Sequence, residues 1–322
     1  MNLQRWIGRR EASWKTLDSL LQQAEKQGLR SMTPAQIHQL ASLYRSVAAD
    51  LARARTQQAG QVLVQDLQRL TSRGYAQIYQ GLRRQEWHAL WAFYRWGLPA
   101  VVQQCAGYVA LATGLFAAAG LIAWWFAWRD PSFLALLVPA ELISQVRDRQ
   151  ELWMGSIVGI EPFASSSIMI NNLKVSFAAV AGGMTAGIGT VYIILLNGLM
   201  IGSIGALVGQ NNLAYPFWAF VFPHGALELP AIFLAGAAGF LLGRAILFPG
   251  QFCRADALKY YGAQAAQLMF GVIPMLVIAG LIEGFFSPNP AVPDAVKYGT
   301  GILLLTGLLV YLSQRSPPNQ QT

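Results

Sequence analysis

The chain has 322 residues, 54% of them hydrophobic and only 12% charged, against roughly 25% charged in ordinary soluble domains. That balance excludes a soluble globular protein and points to an integral membrane protein. The net charge of +8 is lopsided, because residues 1–100 hold 14 Lys/Arg against 6 Asp/Glu while residues 101–322 hold 9 of each.

Residues 1–96 read as an all-α domain ahead of the membrane part. Trp14, Leu17, Leu21 and Ala24 recur at helical spacing, and Gly28 is a plausible stop. Thr33-Pro34-Ala35-Gln36 has the order of a capping box, and Ile37, Leu40, Tyr44, Val47 and Leu51 form one apolar stripe behind it. A third helix is expected over Val62–Leu70, and a fourth from Tyr75 through Trp87, Trp91 and Trp96. No uninterrupted apolar run follows the basic start, so no cleavable signal peptide is expected. The Lys/Arg excess ahead of the first span predicts a cytoplasmic N-terminus. Those arginines are read as facing anionic headgroups beside an interfacial belt of Trp87, Trp91, Tyr94 and Trp96. No nucleic-acid motif accompanies the charge, so nucleic acid is not expected as a partner.

Residues 97–316 read as a polytopic helical membrane domain, with residues 317–322 as a tail. Span one, near 101–126, carries small residues every fourth position at Ala106, Ala110, Gly114 and Ala118, a face suited to close packing. Residues 127–174 read as an extended loop with an amphipathic piece from Glu141 to Trp153. Ser165–Ser167 falls within it. From Val175 to Leu227 there is no Asp, Glu, Lys or Arg for 53 residues. Two spans are placed here, near 175–209 and 213–248. The first is punctuated at Asn197-Gly198, the turn between them falls at Gln210–Asn212, and the second carries a small stripe at Ala231, Ala235, Gly239 and Gly243. The last spans fall near 268–286 and 298–312, parted by Ser287-Pro288-Asn289-Pro290. Five spans leave the basic 249–267 loop on the outer side. The positive-inside rule would place it inside, which needs six, and a re-entrant pair around Gln210–Asn212 would keep five. Five is the preferred count.

The chemistry gathers at Pro223-His224-Gly225-Ala226-Leu227-Glu228. On a continuous helix His224 and Glu228 would share a face. Pro223 and Gly225 instead predict a break, leaving Glu228 in the first turn of the following span, where its carboxylate would satisfy free backbone N–H groups. A proton-handling or ligand-binding pair is the sharper reading, since ionisable groups inside a membrane are functional candidates. Glu283, the other carboxylate within a span, could complete that cluster. Asn171 and Asn172 open the apolar run as helix caps or binding groups, and Asn197 either bonds across helices or breaks one. No metal is expected: His224 is the only histidine outside the N-terminal domain, and Cys105 and Cys253 offer neither a disulfide framework nor ligand spacing. Without a P-loop, a His-Glu-x-x-His or a Gly-x-Ser-x-Gly motif, neither a cofactor nor enzyme activity is expected.

Several segments together resemble the stage II sporulation protein M family. They are Asn171-Asn172-x-x-Val175-x-Phe177, Gly183-x-x-x-Gly187-x-x-Thr190, Asn197-Gly198-x-x-x-Gly202, His224-Gly225-x-x-Glu228-x-x-Ala231, Gly239-x-x-x-Gly243 and Ile282 through Pro288. Trp14, Leu43-Tyr44, Asp50-Leu51-Ala52 and Ile78-Tyr79 are similar to the helical extension of its longer members. The resemblance implies a non-enzymatic, multi-pass protein of the bacterial cytoplasmic (inner) membrane. Its expected role is a scaffold or anchor with protein partners beside the lipid bilayer, self-association included. In spore formers the namesake organises peptidoglycan-degrading partners. The alternative is a permease-like subunit with a polar path near Asn197, His224, Glu228 and Glu283. An intramembrane hydrolase is disfavoured for want of a nucleophile.

Overall fold

The computed structural model describes residues 3–154 and 159–315, which are helical with no strands, and the tail expected at 317–322 lies outside them. The chain divides into two compact units, Met1–Ala92 and Phe93–Thr322.

The first unit is built from α1 (Leu3–Gln27), α2 (Pro34–Thr56) and α3 (Gln61–Ala92). Gly28 ends α1 with φ of 77°, a left-handed geometry that glycine adopts without penalty, and its amide donates to Ala24 O at 2.9 Å. Thr33 and Gln36 form the expected reciprocal cap of α2. Leu17, Leu21, Leu40, Val47 and Leu67 meet in the core. Asp50, buried among them, accepts from Arg10 Nε at 2.8 Å and Trp14 Nε1 at 2.9 Å. Arg73 of α3 reaches Asp18 at 2.5 Å and Glu25 at 2.8 Å, and its guanidinium holds the Glu25 carboxyl below the ordinary 4.5. The two helices expected over 62–96 are one, because Gly74 does not stop α3. It seats the Tyr44 ring, and a Cβ there would lie 2.7 Å from Tyr44 Cδ2. Trp87 and Trp91 are exposed, while the side chain of Tyr79 lies outside the described residues.

The second unit opens with a π-helical turn, Phe93–Gly97, then α4 (Leu98–Gln104) and α5 (Ala106–Arg129), so span one is interrupted at Cys105. The expected packing stripe on α5 faces outward. Its buried face is Ala112, Phe116, Ala119, Ala123 and Ala127. A strict four-residue step drifts about 40° per turn around a 3.6-residue helix, so only a mixture of three- and four-residue steps stays on one neighbour. The expected loop is largely helical. Here α6 (Pro131–Leu137) and α7 (Ala140–Asp148) cover Ala206–Val208 and Phe217, and α8 begins at Glu161 and runs to Gly182.

Residues 175–209 are not one span. The chain turns at 183–187, where Ala186 and Gly187 are left-handed at φ of 56° and 87°, before α9 (Ile188–Gln210) begins. Asn197 does not interrupt α9, and its amide donates to Ile193 O at 2.8 Å within the same helix. The polar turn at Gln210–Asn212 is present and joins two continuous helices, so there is no re-entrant pair. The following helix, α10 (Ala214–Leu247), passes through both Pro223 and Pro230. The predicted break is therefore absent. Packed on α5, α8, α9, α11 and α12, α10 is held on all sides, and each proline removes only one intrahelical hydrogen bond. Next come α11 (Arg254–Leu281), a second π-helical turn (Ile282–Phe286) and α12 (Asp294–Leu312).

Five helices are long and apolar enough to cross a membrane: α5, α9, α10, α11 with its π turn, and α12. One further long helix, α8, is not among these five but packs with them. With 22 residues, α8 is about 33 Å long at 1.5 Å per residue, enough for a hydrocarbon core. It runs parallel to α10, since Asn172 meets Glu228, Gly183 meets Gly239 and Gly187 meets Gly243, with the same sequence interval in every pair. With α8 included, six helices run along the bundle, and they bring the basic loop after α10 and the end of α12 to the end where α5 starts. Two hydrogen bonds mark that end, Arg244 to Tyr108 Oη at 2.6 Å and Gln103 Nε2 to Leu312 O at 2.8 Å.

Glycine lets the backbones touch. A Cβ on Gly183 would land on Gly239 O, one on Gly202 on Gly120 O, and one on Gly198 on Phe116 O. One on Gly243 would lie 3.0 Å from Gly187 Cα, and one on Gly239 2.9 Å from Thr190 Cγ2. The small-residue pairs at 183/187, 198/202 and 239/243 are thus contact points between helices.

Candidate functional site

Continuity of α10 puts His224 and Glu228 one turn apart on the same face. The π turn after α11 adds Glu283 from the facing helix. One ligand atom from each of the three lies within 4.8 Å of the others. His224 Nε2 is 3.8 Å from Glu283 Oε1, with side chains 6% and 15% exposed.

Outer partners hold two of these groups. Ser287, fully buried, sets its hydroxyl 3.2 Å from His224 Nδ1. The Asn172 side chain of α8 lies beside the Glu228 carboxylate. The Phe220 ring meets the imidazole edge-on at 5.5 Å between centroids. Glu283 keeps one oxygen, Oε2, buried without a hydrogen-bond partner. Among the described residues, no Lys or Arg pairs with either carboxylate.

The π turn itself is supported from α8. Ser165 Oγ donates to Gly280 O at 2.7 Å, satisfying a carbonyl beside the altered helix pitch, and a Cβ on Gly284 would collide with Ser165. Tyr94 Oη makes the analogous bond to Phe270 O at 2.9 Å, the carbonyl that Pro274 deprives of its helical donor.

His224, Glu228, Glu283 and Asn172 therefore form one buried constellation. Asn171 is exposed on α8, and Asn197 is bonded within α9. Ser287 and Ser165 were not singled out from the sequence. Ser287 falls there within the Ile282–Pro288 family segment and a Ser-Pro turn, and Ser165 in the expected loop. An open apolar groove of about 540 Å³, lined by Tyr108, Leu111, Ile188, Phe240 and Arg244, lies toward the other end of α10 and includes none of the constellation.

Comparison with known proteins shows the family. A family model described as stage II sporulation protein M matches residues 112–288, more than half of the chain and the whole of the constellation. A second model, a domain of unknown function (DUF8413), matches residues 4–80. Two uncharacterized proteins of Methanocaldococcus jannaschii are similar in part. One is 37% identical over 79 residues, 24% of this chain and 44% of the relative; the other is 26% identical over 101 residues, 30% and 45%. The chain thus spans less than half the length of these curated relatives. No solved structure matches it.

Proposed function

The chain belongs to the stage II sporulation protein M family, and from that membership we propose that it is a non-enzymatic scaffold or anchor for a membrane or cell-envelope complex. The N-terminal helical domain recruits a cytoplasmic protein partner, and the bundle holds that partner at the bilayer. Self-association is compatible with this role. The setting is the cytoplasmic membrane with the N-terminus inside, and the archaeal relatives give no reason to confine it to bacteria.

The observation that carries this reading is backbone-to-backbone packing through Gly183, Gly198, Gly202, Gly239 and Gly243, a construction suited to a rigid platform. A permease would need a polar path from Asn197 to Glu283, whereas the Asn197 amide is bonded within its own helix and the 540 Å³ groove is apolar and elsewhere.

Crosslinking in native membranes, followed by affinity purification of the full chain, tests the proposal. The expected result is a defined partner at stoichiometric yield, lost when residues 3–92 are deleted although the remainder still inserts. A chain that purifies alone and confers solute flux on reconstituted vesicles would overturn it.

A further inference from the structure

We propose that His224, Glu228 and Glu283 bind a divalent transition-metal ion, with zinc the first candidate, pinning the middle of α10 to the π turn that ends α11. This does not depend on the scaffold role and would stand if that role failed.

Four features of the site support it. The donor set is one imidazole and two carboxylates, the mixture that suits zinc and its neighbours rather than the all-oxygen cages of calcium or magnesium. The donors converge from two helices to within 4.8 Å. A tetrahedral ion with ligands at about 2.0–2.1 Å needs donor separations of about 3.3–3.5 Å. The 3.8 Å between His224 Nε2 and Glu283 Oε1 is a few tenths of an ångström above that range, and no donor pair is wider than 4.8 Å. Side-chain torsions can close the remainder.

The outer partners are arranged as a metal site requires. Ser287 at Nδ1 occupies the imidazole's far nitrogen, leaving Nε2 directed at Glu283, and Asn172 lies beside Glu228. Such outer hydrogen bonds fix the tautomer and orientation of a ligating histidine. Charge gives the fourth reason. Two carboxylates sit together inside a membrane span with no Lys or Arg paired to them among the described residues, and Glu283 Oε2 is buried and unbonded. A dication compensates both charges and takes up that orphaned oxygen. Three protein ligands leave a fourth position for water.

The test uses the full chain purified in detergent, with zinc as the probe. Elemental analysis should find about one ion per chain after gel filtration. Stripping with a chelator should lower the thermal midpoint, and zinc should restore it. Cobalt added to stripped protein should give the visible bands of a low-coordinate nitrogen and oxygen site. Glu283→Gln should lose the ion and become indifferent to chelator. Ser287→Ala should keep the ligands but weaken zinc binding about 10–100-fold. Should Glu283→Gln fail to fold, chelation and cobalt titration of the unaltered chain decide the matter. Unaltered protein that holds no stoichiometric metal and shows no response to chelator overturns the proposal. So does equal binding by the unaltered chain and the Glu283→Gln variant, which would mark an adventitious ion only.

Discussion

Replacing Gly202 by alanine sets two known effects against each other. Alanine favours a helix over glycine by about 0.8–1.0 kcal/mol, so on propensity alone the change would stabilise α9. The added Cβ, however, would land on Gly120 O and lie 2.7 Å from Gly120 C and 2.8 Å from Gly120 Cα, all backbone atoms that cannot rotate away. Relief requires α5 and α9 to separate by about 1 Å, and a gap of that size forfeits a quarter to a half of each contact's attraction along the seam. Overpacking of this kind costs about 1–3 kcal/mol, and the upper part of that range applies because neither side can yield by a rotamer change. The steric cost wins, and Gly202→Ala is expected to destabilise by about 1–2 kcal/mol net. Gly114 on α5 is the internal control, since a Cβ there meets nothing within 4 Å. Gly114→Ala should be neutral or stabilising by up to about 1 kcal/mol. Thermal unfolding of both variants in the same detergent, followed by tryptophan fluorescence, makes the comparison. A Gly202→Ala protein as stable as the parent, or a Gly114→Ala protein equally damaged, would refute the argument from backbone contact.

Thr190→Val removes the buried 2.7 Å bond to Ala179 O while keeping the shape, and a loss of about 0.5–1.5 kcal/mol is expected in the same assay. Tyr94→Phe orphans the Phe270 carbonyl that Pro274 leaves free; its cost should shrink in a Pro274→Ala background, where the helix supplies its own donor, and a double-mutant cycle reads that coupling. Because Arg73 holds Glu25 below its ordinary 4.5, that pairing stabilises the folded N-terminal unit above this pH and is lost as pH falls through the folded value. Hydrogen-exchange protection across residues 3–92 of the full chain, corrected for the intrinsic exchange rate at each pH, should therefore fall below about pH 4.5, and Arg73→Gln should flatten the response. If α10, α11 and α12 each cross the bilayer, an impermeant thiol reagent should label Cys253 from the same side as a Ser313→Cys variant, and an Asn211→Cys variant from the opposite side. Buried Cys105 should stay unlabelled.

Much of this architecture was legible because it depends on short-range chemistry. The Thr33 capping box, the stop at Gly28 and the glycine pairs each follow from a few adjacent residues. The partnership of His224, Glu228 and Glu283 was also readable, because ionisable groups are scarce in such apolar helices. What escaped depends on neighbours. Pro223 and Gly225 read as a break until α10 is seen wrapped by five helices. The exposed stripe on α5 matched a spacing rule, yet the partner surface on α9 selects a different face. The turn at 183–187 was hidden because glycine serves equally well for close packing and for a left-handed bend. Here it does one at Gly183 and the other at Gly187.

The partnership of α8 with α10 also bears on how the chain is made. As the least apolar of the six helices that run along the bundle, carrying Asn171, Asn172 and Lys174, α8 is poorly suited to leave the translocon for lipid by itself. Its matching surface, from Glu228 to Gly243, emerges from the ribosome later, on the order of seconds at ordinary elongation rates. During that interval α8 depends on α9 or on the insertion machinery for shelter. Shortening the delay or slowing it should therefore alter the yield of inserted protein without changing the stability of the finished bundle.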